Sequence, residues 1–350
     1  MSIERPDLSE VAPDVLAYIE SLEAALAAQT IRRTRPPVVA EVDLDAEPEL
    51  CEPPTTINLI TLTAGGLLKR TPRHLYGRQR RGGMGIFDLD APDDDPPALL
   101  TLADESASLI LLTDQGRTYR LPVSRLPEMP IRAKGSALAG LISLRPGERI
   151  AAALPEDGGE QIALVGQRGW VMTVRSAFVG KSMIAGVVYY DAAKYGPLAA
   201  ACWLPGSADE IFIATRQGFA IRFPAQRVPK TGCLGIRLEK NDVVAAATAA
   251  NDASGVFLLG ADGKGTIRLM SGFAANKSPG GGGKVALKTD SLVAAAALGP
   301  ETDDVFIISR NSKIIRFEAA EVPPKEGVVQ GVNCMALRGD ETMAVAVARL

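Results

Sequence analysis

The chain repeats itself. Between residues 57 and 350, six segments each consist of a β-branched or aliphatic run, a polar turn and a second run: NLITLTAGGLLKRT, SLILLTDQGRTYRL, QIALVGQRGWVMTV, EIFIATRQGFAIRF, GVFLLGADGKGTIRL and DVFIISRNSKIIRF. Their turn positions, Gly66, Gly116, Gly169, Gly218, Gly263 and Ser312, stand 50, 53, 49, 45 and 49 residues apart. A period of this length restricts the fold to architectures in which one small unit recurs. A second series, Gly85, Gly140, Gly186, Gly235, Gly283 and Gly331, follows the first by 17 to 24 residues, and an apolar stretch comes after each member.

Short apolar runs bounded by Gly, Asp and Asn turns read as strand pairs, so each unit is expected to form one small antiparallel sheet. The alanine-rich pieces Val244–Ala250 and Leu292–Leu298 suit a helix by intrinsic propensity. They occupy the same place in the repeat as Met343–Ala348, however, where small residues suit a strand crowded near an axis. Six sheets of about four strands arranged radially make an all-β, six-bladed propeller, which leaves only short edges. Residues 57–350 divide into repeats of about 49 residues.

Residues 1–29 read as a short helical segment. Pro13 and Asp14 suit a helix start, and Val15, Ile19, Leu22 and Leu26 form one apolar stripe, suited to docking on the same chain, on a partner or on a copy of itself. Residues 30–56, with Pro36, Pro37, Pro48, Pro53 and Pro54 among acids from Glu41 to Glu52, read as a flexible acidic linker. The net charge of −3 divides unevenly: residues 1–56 carry 12 acids and 4 bases, and residues 57–350 carry 29 acids and 34 bases. The repeat body is therefore mildly basic and admits a nucleic-acid partner. The arm is either a solvated spacer or a competitor that folds back on the basic surface.

Several chemistries find no support. Cys51, Cys202, Cys233 and Cys334 are too scattered for a disulfide framework or a structural zinc site, and His74 is the single histidine. Gly260–Thr266 and Gly280–Lys284 are glycine-rich and contain lysine, but both lack the spacing of a nucleotide-binding loop. No apolar run is long enough to span a membrane, and the N-terminus lacks the pattern of a signal peptide.

The first unit carries the loop KRTPRHLYGRQRRGGMGI, residues 69–86. Lys69, Arg70, Arg73, Arg78, Arg80 and Arg81 place six positive charges in thirteen residues without an intervening acid. Gly82, Gly83 and Gly85 let the backbone approach a phosphate chain closely. The loop reads either as a phosphate clamp or as a solvated face. Four residues after the turn position come Arg70, Arg120, Arg222 and Arg316, with Arg268 displaced by one and Thr173 breaking the series. These five arginines form either a basic ring or a set of structural ion pairs. Arg132 and Lys134 fall in the second unit's counterpart of the basic loop.

Gln79-Arg80-Arg81-Gly82-Gly83-Met84-Gly85 resembles the QRRGGKG box in the first blade of the DNA gyrase A C-terminal domain, and all of residues 57–350 look like the blade pattern of that domain. The resemblance implies a six-bladed β-pinwheel whose basic rim wraps duplex DNA without a cofactor or metal, alongside a type IIA topoisomerase core. In that family the box loop is needed for wrapping, and wrapping gives strand passage a preferred direction. Met84 stands where the family has lysine, and Ser312 stands at a turn glycine. The 56 residues upstream are too few for the family's breakage-and-reunion region, and Tyr18, on the short helix, cannot be assigned the catalytic tyrosine's role. The expectation is a free-standing, non-catalytic, cytoplasmic, nucleoid-associated DNA-wrapping protein. The alternative is a protein-interaction scaffold on a pinwheel that has lost strong wrapping.

Overall fold

The computed structural model describes residues 13–15, 19–21, 23 and 52–350, apart from 157, 182, 207, 208, 300–302 and 350. Two compact units divide the chain, Met1–Pro48 and Glu49–Leu350. In the first, the described residues are helical. Leu22, Leu26 and the linker through residue 51 lie outside the described residues.

The second unit contains six blades, each built on a hairpin. The hairpins pair Ile57–Thr63 with Leu67–Pro72, Ser108–Thr113 with Arg117–Pro122, Gln161–Gly166 with Trp170–Arg175, Glu210–Thr215 with Phe219–Pro224, Gly255–Gly260 with Lys264–Leu269, and Asp303–Ser309 with Lys313–Glu318. The first strand of each hairpin is covered on both faces, which is why its sequence is a continuous apolar run and not an alternation. Ser312 takes φ 57° at its turn, so the sixth hairpin keeps the register of the others without a glycine.

An inner strand completes each hairpin on the axial side: Pro97–Asp104, Ile150–Pro155, Leu198–Leu204, Val244–Ala250, Leu292–Leu298 and Thr342–Arg349. The alanine-rich pieces are thus strands, and their small side chains line an axial cavity of about 700 Å³. Packing runs from blade to blade. Phe257, Val305, Ile307, Ile315 and Phe317 fill the space between the fifth and sixth blades, and Leu59, Leu100, Phe306, Ile308 and Ile314 join the sixth to the first.

The fourth strand departs from the expectation of one sheet per unit. Each outer strand is supplied by the following unit: Ser136–Ala137 to the first blade, Val187–Val188 to the second, Cys233–Leu234 to the third, Lys284–Val285 to the fourth and Val332–Asn333 to the fifth. The first unit's Ile86–Phe87 then pairs with Lys313 and Ile314 of the sixth blade and closes the ring. The second glycine series marks this crossing. A Cβ on Gly85 would lie 2.6 Å from the Ile314 carbonyl oxygen, and one on Gly331 2.7 Å from that of Gly265. In the second unit the crossing residue is Gly135, 2.8 Å by the same measure from the Leu68 oxygen. Gly140, the expected member, lies five residues later in a 3₁₀ turn with open space around it.

Near the axis, the chain before or at each inner strand donates to the turn of the preceding blade. Ile150, Leu198, Val244, Leu292 and Thr342 N–H groups bond the carbonyls of Ala64, Asp114, Gln167, Arg216 and Ala261 at 2.7–3.1 Å. The equivalent residue at the junction of the sixth and first blades is Pro97, which has no N–H to give. This junction depends on other contacts, and the basic loop supplies them.

Candidate nucleic-acid interface

The 69–86 loop is a clasp across the ring's closing junction. Gln79 N–H donates to the Arg316 carbonyl at 2.7 Å, Gly82 N–H to Cys334 at 2.9 Å, and Asp88 N–H to Ser312 at 2.8 Å, while Gly83 accepts from Ala336 at 2.9 Å. Arg78 pairs with Asp304 at 3.1 Å and Glu318 at 2.6 Å. Arg81 donates to the carbonyls of Glu321 at 3.0 Å and Asn333 at 2.6 Å, and its own N–H bonds the Glu321 carboxylate. The three box glycines are close-packed: Gly85 abuts the sixth blade's Ile314 carbonyl, Gly82 abuts Asn333, and Gly83 abuts Arg80 and Ile315. Their fit serves protein contact. Within the box, Arg80 is exposed with no ion-pair partner among the described residues, and Met84 is 47% exposed.

The remaining bases of this loop point inward. Lys69 is buried in a network with Asp88 and Tyr76; burial pulls its ammonium below the ordinary lysine value, and Asp88 partly offsets this. Arg73 and Arg316 share the Glu52 carboxylate at 2.9 and 3.1 Å. Burial raises the Glu52 carboxyl, but hydrogen bonds and charge from the two arginines outweigh it and hold the group below its ordinary value.

Four of the five recurring arginines take the ion-pair alternative, three of them within their own blades, and Arg268 finds no acid. Arg316 bonds Asp304 at 2.6 Å, Arg222 contacts Glu210 at 3.0 Å and Asp252 at 2.5 Å, and Arg120 grips Glu156 through two bonds of 2.7 and 2.8 Å. Those bonds hold the Glu156 carboxyl below its usual range. Arg70 reaches Glu128 at 3.4 Å, and Arg268 donates to the Gly272 carbonyl and stacks over Phe273. As a solvent-facing ring the expectation is corrected: Arg70, Arg222, Arg268 and Arg316 are buried, because a strand position beside apolar neighbours turns the guanidinium toward partners within the protein, acids for three of them and the Gly272 carbonyl for Arg268. Lys69 and Arg73 are buried likewise.

Exposed bases occur over much of the surface, Arg149, Arg216 and Arg310 beside the axial cavity among them, and the loops and outer strands that cross the perimeter carry a set of their own. Arg80 serves the first unit, Arg132 and Lys134 the second, Lys181 the third, Lys230 and Arg237 the fourth, Lys277 and Lys284 the fifth, and Lys325 the sixth. No acid occurs in residues 79–87, 161–190 or 270–287, whereas the sixth loop carries Glu318, Glu321 and Glu326. Sequence reasoning named Arg80, Arg132 and Lys134 and missed the other six. The signal for them was their position around the second glycine series.

Among the described residues, no group of three His, Cys, Asp or Glu side chains could hold a metal ion, and no helix is long and apolar enough to cross a membrane. Burial pushes the Cys202 and Cys334 thiols up to about 12, which removes them as nucleophiles at neutral pH. His74 Nδ1 accepts from the Thr55 N–H at 3.2 Å, a fold contact.

The family described as DNA gyrase C-terminal domain, beta-propeller, matches residues 58–95, 107–155, 209–251 and 303–347, half of the chain. The DNA gyrase A protein of Helicobacter pylori strain J99 is 29% identical over 278 residues, covering 75% of this chain and 34% of that protein. The gyrase A protein of Chlamydia muridarum is 27% identical over 306 residues, covering 83% and 36%. The chain thus spans about a third of the length of these relatives. Among solved structures, a DNA gyrase A C-terminal domain superimposes with a TM-score of 0.72 at 19% identity, over 83% of this chain and 99% of that one. The C-terminal domain of DNA topoisomerase IV gives 0.54 at 17% identity, over 83% and 93%. At such identities both speak to the fold alone. With its six-bladed exchanged-strand ring and the match in four of its units, the chain belongs to the family of DNA gyrase C-terminal β-propeller domains.

Proposed function

We propose that the ring is a non-catalytic module that binds duplex DNA along its perimeter and bends it there, in the cytoplasm, in association with a type IIA topoisomerase core. The observation that carries this reading is the placement of at least one exposed lysine or arginine on every perimeter loop, the nine just named among them, while Arg120, Arg222 and Arg316 of the blades are occupied by acids. Equivalent positions on six blades present charge at regular intervals, as a continuous phosphate backbone requires. Bending 20–30 base pairs by 40–90° costs on the order of 1–6 kcal/mol, so many dispersed contacts suit the task better than one strong patch. The box loop contributes twice: Arg78 and Arg81 close the ring, and Arg80 faces outward.

The test is the salt dependence of binding to a duplex of random sequence. If all nine perimeter bases meet phosphates, log K falls with log salt at a slope of about −8. Removing Arg132 and Lys134 together lowers the slope by about 1.8 with no preference among sequences. An unchanged slope in that variant, or no binding at moderate salt, would refute the perimeter as the interface.

A further inference from the structure

The third perimeter loop differs in kind from the rest. Phe178, Ile184 and Val188 are 59%, 80% and 55% exposed, an apolar concentration that a solvated loop does not need. Hydrogen bonds tie down the described residues of the loop. Tyr189 donates its hydroxyl to the Phe178 carbonyl, Met183 N–H bonds Gly180, Val187 N–H bonds Ile184, and Gly186 N–H bonds Thr118 of the second blade. Val187 and Val188 are paired with Thr118 and Arg117, so Ile184 sits just ahead of a fixed outer strand. Exposed Arg175 and Lys181 flank this tip, and the whole stretch from residue 161 to 190 contains no acid. The third unit also lies outside the family match and carries Thr173 where the others have an arginine.

We propose that Ile184, supported by Phe178 and Val188, is an apolar wedge that enters between stacked base pairs and kinks the duplex where it crosses the third loop. This rests on the perimeter being the DNA interface. A charged rim alone bends DNA smoothly; an apolar side chain pressed between base steps localises the bend, with kinks of roughly 20–90° in proteins that work this way. The occupant is DNA because residues 161–190 contain no acid, the nearby Glu156 is engaged by Arg120, exposed Arg175 and Lys181 flank the tip, and the loop is continuous with five others that present bases to the same perimeter. Braced backbone bonds suit a wedge, since the tip must resist being pushed aside.

A wedge spends energy on unstacking, so it favours DNA already unstacked. The experiment compares binding of the full chain to a 40-base-pair duplex with a central two-base mismatch and to its fully paired counterpart. The wild-type protein is expected to prefer the mismatched duplex by about tenfold or more. Ile184→Ser is expected to abolish the preference and Ile184→Leu to retain it, with thermal melts confirming that both exposed-site variants fold. Equal binding of both duplexes by the wild type, with plasmid linking number still altered, overturns the wedge and leaves DNA wrapping standing. Failure to bind either duplex removes both readings. Self-association of the wild type that Ile184→Ser abolishes, with binding to both duplexes unaffected, makes the patch a protein interface and overturns the wedge.

Discussion

Substituting Arg316 and Arg80 separately should split the two tasks assigned to basic residues. Arg316 is buried, bonds Asp304 at 2.6 Å and Glu52 at 3.1 Å, and donates to the carbonyls of Arg73 and Tyr76 at 3.3 and 3.0 Å. Arg316→Ala leaves Asp304, itself fully buried, with Arg78 as its remaining ion-pair partner at 3.1 Å. Breaking a buried pair from one side costs about 3–5 kcal/mol, and the surviving Arg78 contact places this case near 3 kcal/mol. A body of this size loses roughly 2 °C of melting temperature per kcal/mol, so a fall of about 6 °C is expected. Asp304→Asn in the same background should recover part of it, because the orphaned charge is removed. Arg80→Ala, at an exposed position, should change stability by no more than about 0.5 kcal/mol while lowering the DNA salt slope by about 0.9. Urea unfolding and salt-dependent binding, run on both variants, check the division. A loss below about 1 kcal/mol for Arg316→Ala, or a reduced salt slope without instability, would contradict a purely structural role for Arg316.

Glu52 gives a pH prediction. Its folded-state carboxyl lies below the ordinary value of 4.5, so its contribution is present above that value and lost as pH falls through the lower folded one. Wild type should therefore be more stable than Glu52→Gln at neutral pH, with the gap closing in the acid limb of the urea titration; a constant gap down to acid denaturation contradicts the Arg73 and Arg316 bridge. Met84→Lys, at an exposed site, should raise the DNA salt slope by about 0.9 and leave the melting temperature unchanged. Gly85→Ala should cost about 1–3 kcal/mol from its φ of 71° alone, with the contact to the Ile314 oxygen adding to it. Gly140→Ala, with nothing near its added Cβ, should stay within about 0.5 kcal/mol by thermal melting.

The repeat and the hairpins were legible because each blade must turn at one place and bury one strand completely, which leaves a glycine or Ser312 beside an apolar run. The alanine-rich strands were legible by position, not propensity. The exchanged outer strand was not, since two residues such as Val187 and Val188 carry no period and their partners lie in the preceding unit. The same brevity let Gly140 stand in for Gly135. The site was half legible. For Arg222 and Arg316 the sequence left ring and ion pair both open, because their acids lie across the hairpin, Glu210 and Asp304 at 12 residues, or farther off, Asp252 and Glu52 at 30 and 264, and the spacing alone does not say that they meet. Arg80, Arg132 and Lys134 were found because they sit in a loop whose charge is visible locally. Lys181, Lys277 and Lys325 occur singly among uncharged neighbours or beside acids, and only the ring's geometry gathers them on one perimeter.

Bending of DNA around the ring's perimeter would leave a topological trace in a closed circle. Its most direct test is to ligate a nicked circular plasmid in the presence of increasing amounts of the protein, strip the protein away and measure the linking number. The account predicts a shift proportional to bound protein, of one sign, that shrinks when Arg80, Arg132 and Lys134 are replaced and persists when Met1–Pro48 is removed. No shift from folded, saturating protein would contradict it and leave the ring as a scaffold for protein partners.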